Sequence, residues 1–191
     1  YTFKVNPAYT GNCLRIRNEA TSVETDIGFN SDGNLDFAAM NKALAGARAR
    51  VTIWYDQSGQ NRHLTAAGAN SPVVGIVPDE NGIVSVIFEK SITSGFEENP
   101  VHVMTIPTTV QVSSTSLSIA VYGKLSHSTR TAPLVQLGSG SSATSVGMSS
   151  QNGVNSIASY LRNSLKISSG YVGQIYDNFI MSTYGVNDTK L

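Results

Sequence analysis

The segment that most constrains the fold of this chain consists of Trp54, Tyr55, Asp56, Gln57, Ser58 and Gly59. It closes the apolar run Val51–Tyr55, whose β-branched and aromatic residues predict a buried strand. Asp and Ser side chains hydrogen-bond to backbone groups two residues further on, and Gly adopts positive φ without strain. The sequence therefore predicts an inner strand over Val51–Tyr55 and a tight turn over Asp56–Gly59. Asp56 and Gln57 either hold this corner together or contact a ligand.

The same segment, followed by Asn61, His63 and Leu64, resembles the Tyr-Asp-Gln-Ser-Gly-x-x-x-His/Asp-Leu signature of the α-L-arabinofuranosidase B catalytic-domain family. The upstream motifs Ala8–Gly11, Leu14–Arg17 and Asp26–Phe29 occur in the order that the family has. The resemblance fades after Phe88. It implies a concanavalin-A-like (jelly-roll) β-sandwich, and it extends to non-catalytic domains of phage, viral and bacterial surface proteins.

The rest of the sequence also favours an all-β fold, because many short strand patterns alternate with turn signals. The predicted strands are Cys13–Asn18, Glu24–Phe29, Val51–Tyr55, Arg62–Thr65, Val73–Val77, Ile83–Phe88, His102–Ile106, Ser116–Tyr122, Pro133–Leu137, Ser145–Ser149, Ser156–Leu161 and Phe179–Tyr184.

One short helix is predicted over Leu35–Ala45, with Asn34 as its N-cap and Gly46 at its C-terminal end. Arg48 and Arg50 follow it, and we interpret them as a solvated charged edge, since exposed charges contribute little.

Length and composition indicate one β-sandwich domain over residues 1–191 with its own core. A net charge of zero and 14% charged residues argue against nucleic acid, which needs a basic stripe. No apolar run is long enough to insert into a membrane. Sparse charge with a surface of Ser, Thr, Asn and Gly is typical of extracellular and virion proteins. The lone Cys13 excludes an internal disulfide and is predicted to be a small buried hydrophobe.

The resemblance implies a catalytic Glu on a strand of the second half, a partner Asp in a Gly-Gly-Asp loop and a pair of adjacent cysteines. None of these is present. No Asp or Glu occurs between Asn99 and Tyr176, and the strand best placed for the nucleophile, Val146–Ser150, offers no carboxylate. Glycoside hydrolysis usually needs two carboxylates beside the scissile bond. We therefore predict no catalytic residues and no glycosidase activity.

Other chemistry has little support in the sequence. The three histidines, His63, His102 and His127, are scattered and show no spacing typical of a zinc site. We predict no metal and no cofactor. A weak alternative is calcium at Asp56 and Asn61, whose oxygens suit a hard cation.

Sugar sites combine aromatic platforms with planar polar side chains. The second half supplies such groups, and Gln151, Asn152, Tyr160 and Arg162 are the candidate carbohydrate-binding residues.

Two hypotheses follow. The first is a non-catalytic carbohydrate-binding or adhesive module of a virion (phage tail, fibre or capsid decoration) or of a cell surface. The second is a structural assembly domain whose partners are copies of the same protein; an arabinofuranosidase-like hydrolase is a distant third. Both leading hypotheses suit a homo-oligomer or a part of a larger chain. The domain is also expected to be incomplete at its C-terminus, because Lys190-Leu191 follows the turn signal Asn187-Asp188 as the start of a return strand.

Overall fold

In a computed structural model of the protein, the described residues are 2–78, 82–88 and 102–107, together with the backbone of six later strands. The chain divides into two compact units, Tyr1–Val110 and Gln111–Leu191, which are described separately. The described elements form antiparallel sheets and one α-helix, so the prediction of an all-β fold with a single short helix is confirmed for this part of the chain.

The first unit is built on a six-stranded antiparallel sheet. Its strands are β1 (Leu14–Asn18), β2 (Glu24–Ile27), β3 (Ala49–Trp54), β4 (Leu64–Thr65), β5 (Val73–Val74) and β6 (Val86–Ile87). The spatial order is β2-β1-β3-β5-β6, and β4 also pairs with β3. The predicted inner strand is therefore confirmed: β3 lies between β1 and β5, and its buried Val51 is fully enclosed.

The two faces of this sheet differ because side chains alternate along each strand. On β1, Leu14 and Ile16 are fully buried, whereas Arg15 and Arg17, which alternate with them, are half-buried on the other face. The apolar face joins Met40 and Leu44 of the helix in one core. Cys13 belongs to this core with 1% of its surface exposed, as the sequence predicts.

The helix α1 spans Phe37–Leu44 and is shorter than predicted. Asn34 is not its N-cap: that role belongs to Asp36, whose carboxylate accepts a hydrogen bond from the N–H of Ala39 at 2.9 Å. Leu35 is held in extended pairing instead, because its N–H donates to the carbonyl of Thr2 at 2.8 Å. The helix ends as Ala45 takes a left-handed conformation with φ 47°.

Several predicted strands are shorter in the structure. Residues 62 and 63 belong to the turn after β3, so β4 begins at Leu64. Pairing between β5 and β6 covers two residues of each, with one further bond from the N–H of Gly75 to the carbonyl of Ser85 at 2.7 Å. The predicted strand His102–Ile106 is reduced to a single bridge between Thr105 and Thr65.

The interpretation of Arg50 as part of a solvated edge is wrong. Its side chain is only 15% exposed and donates from Nε to Glu19 Oε1 at 2.6 Å. Its Nη1 lies 2.8 Å from Nε2 of the buried His102 and also donates to the carbonyl of Ser71 at 3.0 Å. Arg48 does stay exposed, at 49%, and lies 3.6 Å from the other Glu19 oxygen. The planar guanidinium of Arg50 thus joins its own strand to three segments distant in sequence, those of Glu19, Ser71 and His102.

The second unit contains two described sheets. Strands β8 (Ala132–Leu137), β9 (Val146–Ser150), β10 (Ile157–Leu161) and β11 (Ser164–Lys166) form one, in the order β11-β10-β9-β8. Strands β7 (Ser116–Gly123) and β12 (Asn178–Gly185) pair along eight residues each. The sequence predicts all of these except β11. The residues after Gly185 lie outside the described part, so the expected incompleteness of the domain stays a prediction.

The described residues contain no helix that is both long and apolar enough to cross a membrane.

Replacing Arg50 with Lys should lower the free energy of unfolding by about 1–2 kcal/mol, because one ammonium group cannot reproduce the fork of hydrogen bonds to Glu19, His102 and Ser71. Urea denaturation at pH 7 measures this. The matched control is Arg48→Lys, an exposed neighbour of the same Glu19, which should change stability by less than about 0.5 kcal/mol. Equal effects of the two substitutions would contradict the central role of Arg50.

Candidate functional site

The turn after β3 is organised by the carboxylate of Asp56. Its Oδ1 accepts a hydrogen bond from the N–H of Ser58 at 2.8 Å. Its Oδ2 accepts from Ser58 Oγ at 2.7 Å and from the N–H of Arg62 at 3.1 Å. Gly59 has φ 81°, a conformation that Gly adopts without strain. The predicted tight turn is therefore confirmed, and Asp56 holds the corner.

These contacts set the charge of Asp56. Burial raises the pKa of the carboxyl group, but the hydrogen bonds from Ser58 and from the backbone of Arg62 and Gln60 outweigh burial, so the pKa lies below its usual value. The ionised group is an acceptor whose two oxygens already serve protein donors, which makes it a poor general acid. The calcium alternative at Asp56 and Asn61 stays a prediction. A cation bound there would have to compete with the donors that already contact Asp56.

The amide of Gln57 extends the corner to the N-terminal segment. Its Oε1 accepts from the N–H of Val5 at 2.8 Å, and its Nε2 donates to the carbonyl of Phe3 at 3.0 Å. The carbonyl of Gln57 accepts from Asn6 Nδ2 at 3.1 Å. The side chain thus pairs with the backbone as a neighbouring strand would. Gln57 therefore serves the fold, as the first of the two interpretations has it.

A group of polar and aromatic side chains lies on the outer face of the sheet beside this turn. We call Arg15, Asp26, Tyr55 and His63 the Tyr55 cluster. Arg15 and Asp26 form a bidentate pair, with Nε to Oδ1 at 2.7 Å and Nη2 to Oδ2 at 2.8 Å. The Tyr55 hydroxyl donates to Asp26 Oδ1 at 2.7 Å. The His63 ring packs edge-on against Tyr55, with centroids 4.9 Å apart.

The charge states of Asp26 and Tyr55 at neutral pH follow from their contacts. The hydrogen bond from Arg15 holds the pKa of Asp26 below its usual value, although burial opposes this shift. Burial raises the pKa of Tyr55 to about 12, and its hydrogen bond to the Asp26 carboxylate adds to the shift. Asp26 is therefore ionised, Tyr55 is neutral, and the Arg15–Asp26 pair carries no net charge. The pair is still in contact with water, with side chains 35% and 32% exposed.

Tyr9 lies in the segment before β1, close to Tyr55 in the structure. Its hydroxyl donates to the carbonyl of Asn12 at 3.0 Å, and the N–H of Tyr55 donates to the carbonyl of the adjacent Cys13 at 3.0 Å. The Tyr9 ring also meets Phe29 edge-on, with centroids 6.2 Å apart.

Burial raises the pKa of the Cys13 thiol to about 12, so the reactive thiolate that a nucleophile needs is scarce at neutral pH.

The predicted carbohydrate-binding residues fall mostly outside the described part of the chain. This applies to Gln151, Asn152 and Arg162. Tyr160 belongs to β10, where it pairs with Gly147 of β9 and Leu165 of β11. Their role in binding stays a prediction.

The Tyr55 cluster is a candidate site that the sequence analysis missed. A signal for it exists in the alternation of Arg15 with buried neighbours on β1 and in the position of Tyr55 directly after a buried strand. The pairing of β1 with β2, which places Arg15 opposite Asp26, is not visible in the sequence.

No protein-family model matches this chain, and no curated protein matches it significantly in sequence. Three solved structures are similar in fold. One is a point mutant of a GH54 α-L-arabinofuranosidase soaked with 4-nitrophenyl α-L-arabinofuranoside, with a TM-score of 0.61 and 16% identity. A second GH54 α-L-arabinofuranosidase, soaked with a cyclic sulfate inhibitor, has a TM-score of 0.56 and 16% identity. In both cases the match covers 95% of this chain and 44% of the other.

The third is an arabinofuranosidase complexed with arabinofuranosyl-α-1,2-xylobiose, with a TM-score of 0.54 and 17% identity over 86% of this chain and 39% of the other. This chain thus spans less than half of the length of the structures it matches.

The fold is a β-sandwich of the arabinofuranosidase type, as the resemblance implies. Identity at this level shows the fold alone, because one fold hosts many functions.

Replacing Gln57 with Glu should lower the free energy of unfolding by about 1–3 kcal/mol, because a carboxylate cannot donate to the carbonyl of Phe3 and repels it. Urea denaturation at pH 7 measures the change. Gln60→Glu, an exposed position in the same turn, is the control and should shift stability by less than about 0.5 kcal/mol. A Gln57→Glu variant as stable as the control would show that the amide contacts do not hold the N-terminal segment.

Acid should destabilise the protein. Three carboxyl groups, those of Glu19, Asp26 and Asp56, have pKa values lowered in the folded state. Just below the unfolded-state values of about 4, the unfolded chain therefore binds more protons than the folded one. Stability from these groups is present above about pH 4.5 and is lost as pH falls through the folded-state values. The urea concentration at the midpoint of unfolding, measured from pH 6 to pH 2.5, should decrease once the pH is below 4. The decrease should be less steep in Asp56→Asn. A midpoint that rises with acid would contradict this.

Proposed function

We propose that this protein is a non-catalytic carbohydrate-binding module built on an arabinofuranosidase-type β-sandwich. The observation that carries the proposal is the composition of the second half, where no Asp or Glu occurs between Asn99 and Tyr176. Retaining and inverting glycosidases usually need a pair of carboxylates to protonate the leaving group and to stabilise or attack the sugar. A chain that has this fold and no carboxylate over that stretch lacks the usual source of the catalytic pair there.

Three carboxylates of the first unit support the same conclusion. Asp56 is committed to the turn, Asp26 to Arg15 and Tyr55, and Glu19 to Arg50. The pKa of each is lowered, whereas a general acid at neutral pH needs a raised pKa. These three groups therefore suit structural and binding roles better than proton transfer.

Binding would use the groups that recognise sugars elsewhere: aromatic rings against C–H faces, and amide or guanidinium groups on hydroxyls. Gln151, Asn152, Tyr160 and Arg162 are the residues that we propose for this role in the second unit. The module would act on a virion or cell surface, as an adhesive domain next to copies of itself or to further domains. The sparse charge of the sequence supports this setting.

The test combines binding and hydrolysis with the full 191-residue chain. A glycan array that includes arabinofuranosyl-α-1,2-xylobiose should give binding, weakened by Arg162→Gln but not by Arg48→Gln, an exposed arginine of the first unit. 4-Nitrophenyl α-L-arabinofuranoside should release no nitrophenol above a buffer blank. Release that disappears on mutating one acidic residue would make the protein an enzyme.

A structural assembly role is the alternative. It would be favoured by a chain that binds no glycan and forms a defined oligomer in light scattering.

A further inference from the structure

We propose that the Tyr55 cluster, defined by Arg15, Asp26, Tyr55 and His63, is a contact surface for neutral oligosaccharides. This inference rests on the proposed function and adds a binding surface in the first unit to the residues proposed in the second. It assigns to the outer face of the sheet a role that the fold itself does not require.

Arg15 supplies oriented hydrogen-bond donors. Its guanidinium has five N–H groups, and Nε and Nη2 each use one on Asp26. Asp26 holds the plane of the fork in place, and 35% of the Arg15 side chain remains exposed. A fork fixed in this way loses little conformational entropy when it binds a further acceptor such as a sugar hydroxyl.

His63 supplies a second donor. Its Nδ1 accepts a hydrogen bond from the backbone N–H of Asp56 at 3.0 Å. A backbone N–H can only donate, so the neutral ring bound in this way carries its proton on Nε2. The contact with Tyr55 fixes the ring orientation, and the side chain is half-buried. The Nε2–H group is therefore held in one direction.

The cluster also offers acceptors. The Tyr55 hydroxyl donates to Asp26 and keeps its own lone pairs, and the carboxylate accepts three hydrogen bonds where about four sites exist. Sugar hydroxyls both donate and accept, so a surface with fixed groups of both kinds suits them.

The charge of the cluster selects the class of ligand. Asp26 neutralises Arg15, so no net positive charge is present to attract a phosphate, sulfate or uronate. An isolated arginine would favour such anions because it pairs with them bidentately. The half-buried ring of Tyr55 adds apolar surface for the C–H face of a sugar. Tyr9, whose hydroxyl donates to the carbonyl of Asn12, lies near it.

The experiment uses the double variant Arg15→Gln/Asp26→Asn, which removes the fork and keeps the charge balance. Titration calorimetry with arabinofuranosyl-α-1,2-xylobiose, or with the best array glycan, should show binding about tenfold weaker than in the wild type. The matched control is Arg17→Gln/Glu24→Gln. That pair also faces across β1 and β2, two residues along each strand. It should change the affinity less than twofold.

A second variant helps to distinguish weaker binding from a loss of folding. In His63→Gln the side-chain carbonyl can still accept from the N–H of Asp56, but the imidazole Nε2–H donor and the ring are lost. This variant should also bind more weakly, and circular dichroism should show wild-type structure in all variants.

The possible outcomes separate the two proposals. If the wild type binds glycan and both cluster variants bind as tightly as it does, the inference about the Tyr55 cluster is overturned while the proposed function stands. If the wild type binds no glycan at all, the proposed function fails, and the inference fails with it. Preference for oligogalacturonate over neutral glycans, abolished by salt, would overturn the choice of a neutral ligand.

Discussion

The ionised carboxylate of Asp56 is the group on which the geometry of the first unit depends. Three donors from Ser58 and Arg62 converge on its two oxygens and fix the turn after β3. The turn directs the Gln57 amide onto the backbone of the N-terminal segment, and the N–H of Asp56 itself orients the ring of His63. Without this anion, the turn after β3 would lose the hydrogen bonds that fix it. The N–H of Asp56 would then no longer be held in place to orient the ring of His63 in the Tyr55 cluster.

The two faces of the six-stranded sheet carry different kinds of residues. Its inner face joins Leu14, Ile16 and Val51 to the helix in a closed apolar core. Its outer face carries charged residues that pair across strands. Arg50 does most to hold distant segments together there, because one guanidinium contacts Glu19, Ser71 and the buried His102. The more exposed Arg15–Asp26 pair contributes less to stability, since solvent screens it.

The fold is similar to that of arabinofuranosidases, and no Asp or Glu occurs between Asn99 and Tyr176. Binding needs only rings and planar polar groups in fixed positions, whereas hydrolysis needs a matched pair of titrating acids. Glu19, Asp26 and Asp56 have lowered pKa values and donors already in place. The proposal of a module that binds glycans without cleaving them rests on these observations.

The sequence by itself determined the features that depend on neighbouring residues: the inner strand β3, the turn at Asp56–Gly59, the buried Cys13 and most strands of the second unit. Turn chemistry and side-chain alternation act over a few residues and leave a visible pattern. The start of the helix at Asp36 rather than Asn34 was not predictable, because extended pairing of Leu35 with Thr2 competes with the helix. The partners of Arg50 and the assembly of the Tyr55 cluster were decided only by the tertiary structure. Glu19 and His102 are far from Arg50 in sequence, and Asp26 meets Arg15 and Tyr55 only through the register of β1 with β2 and the path of β3.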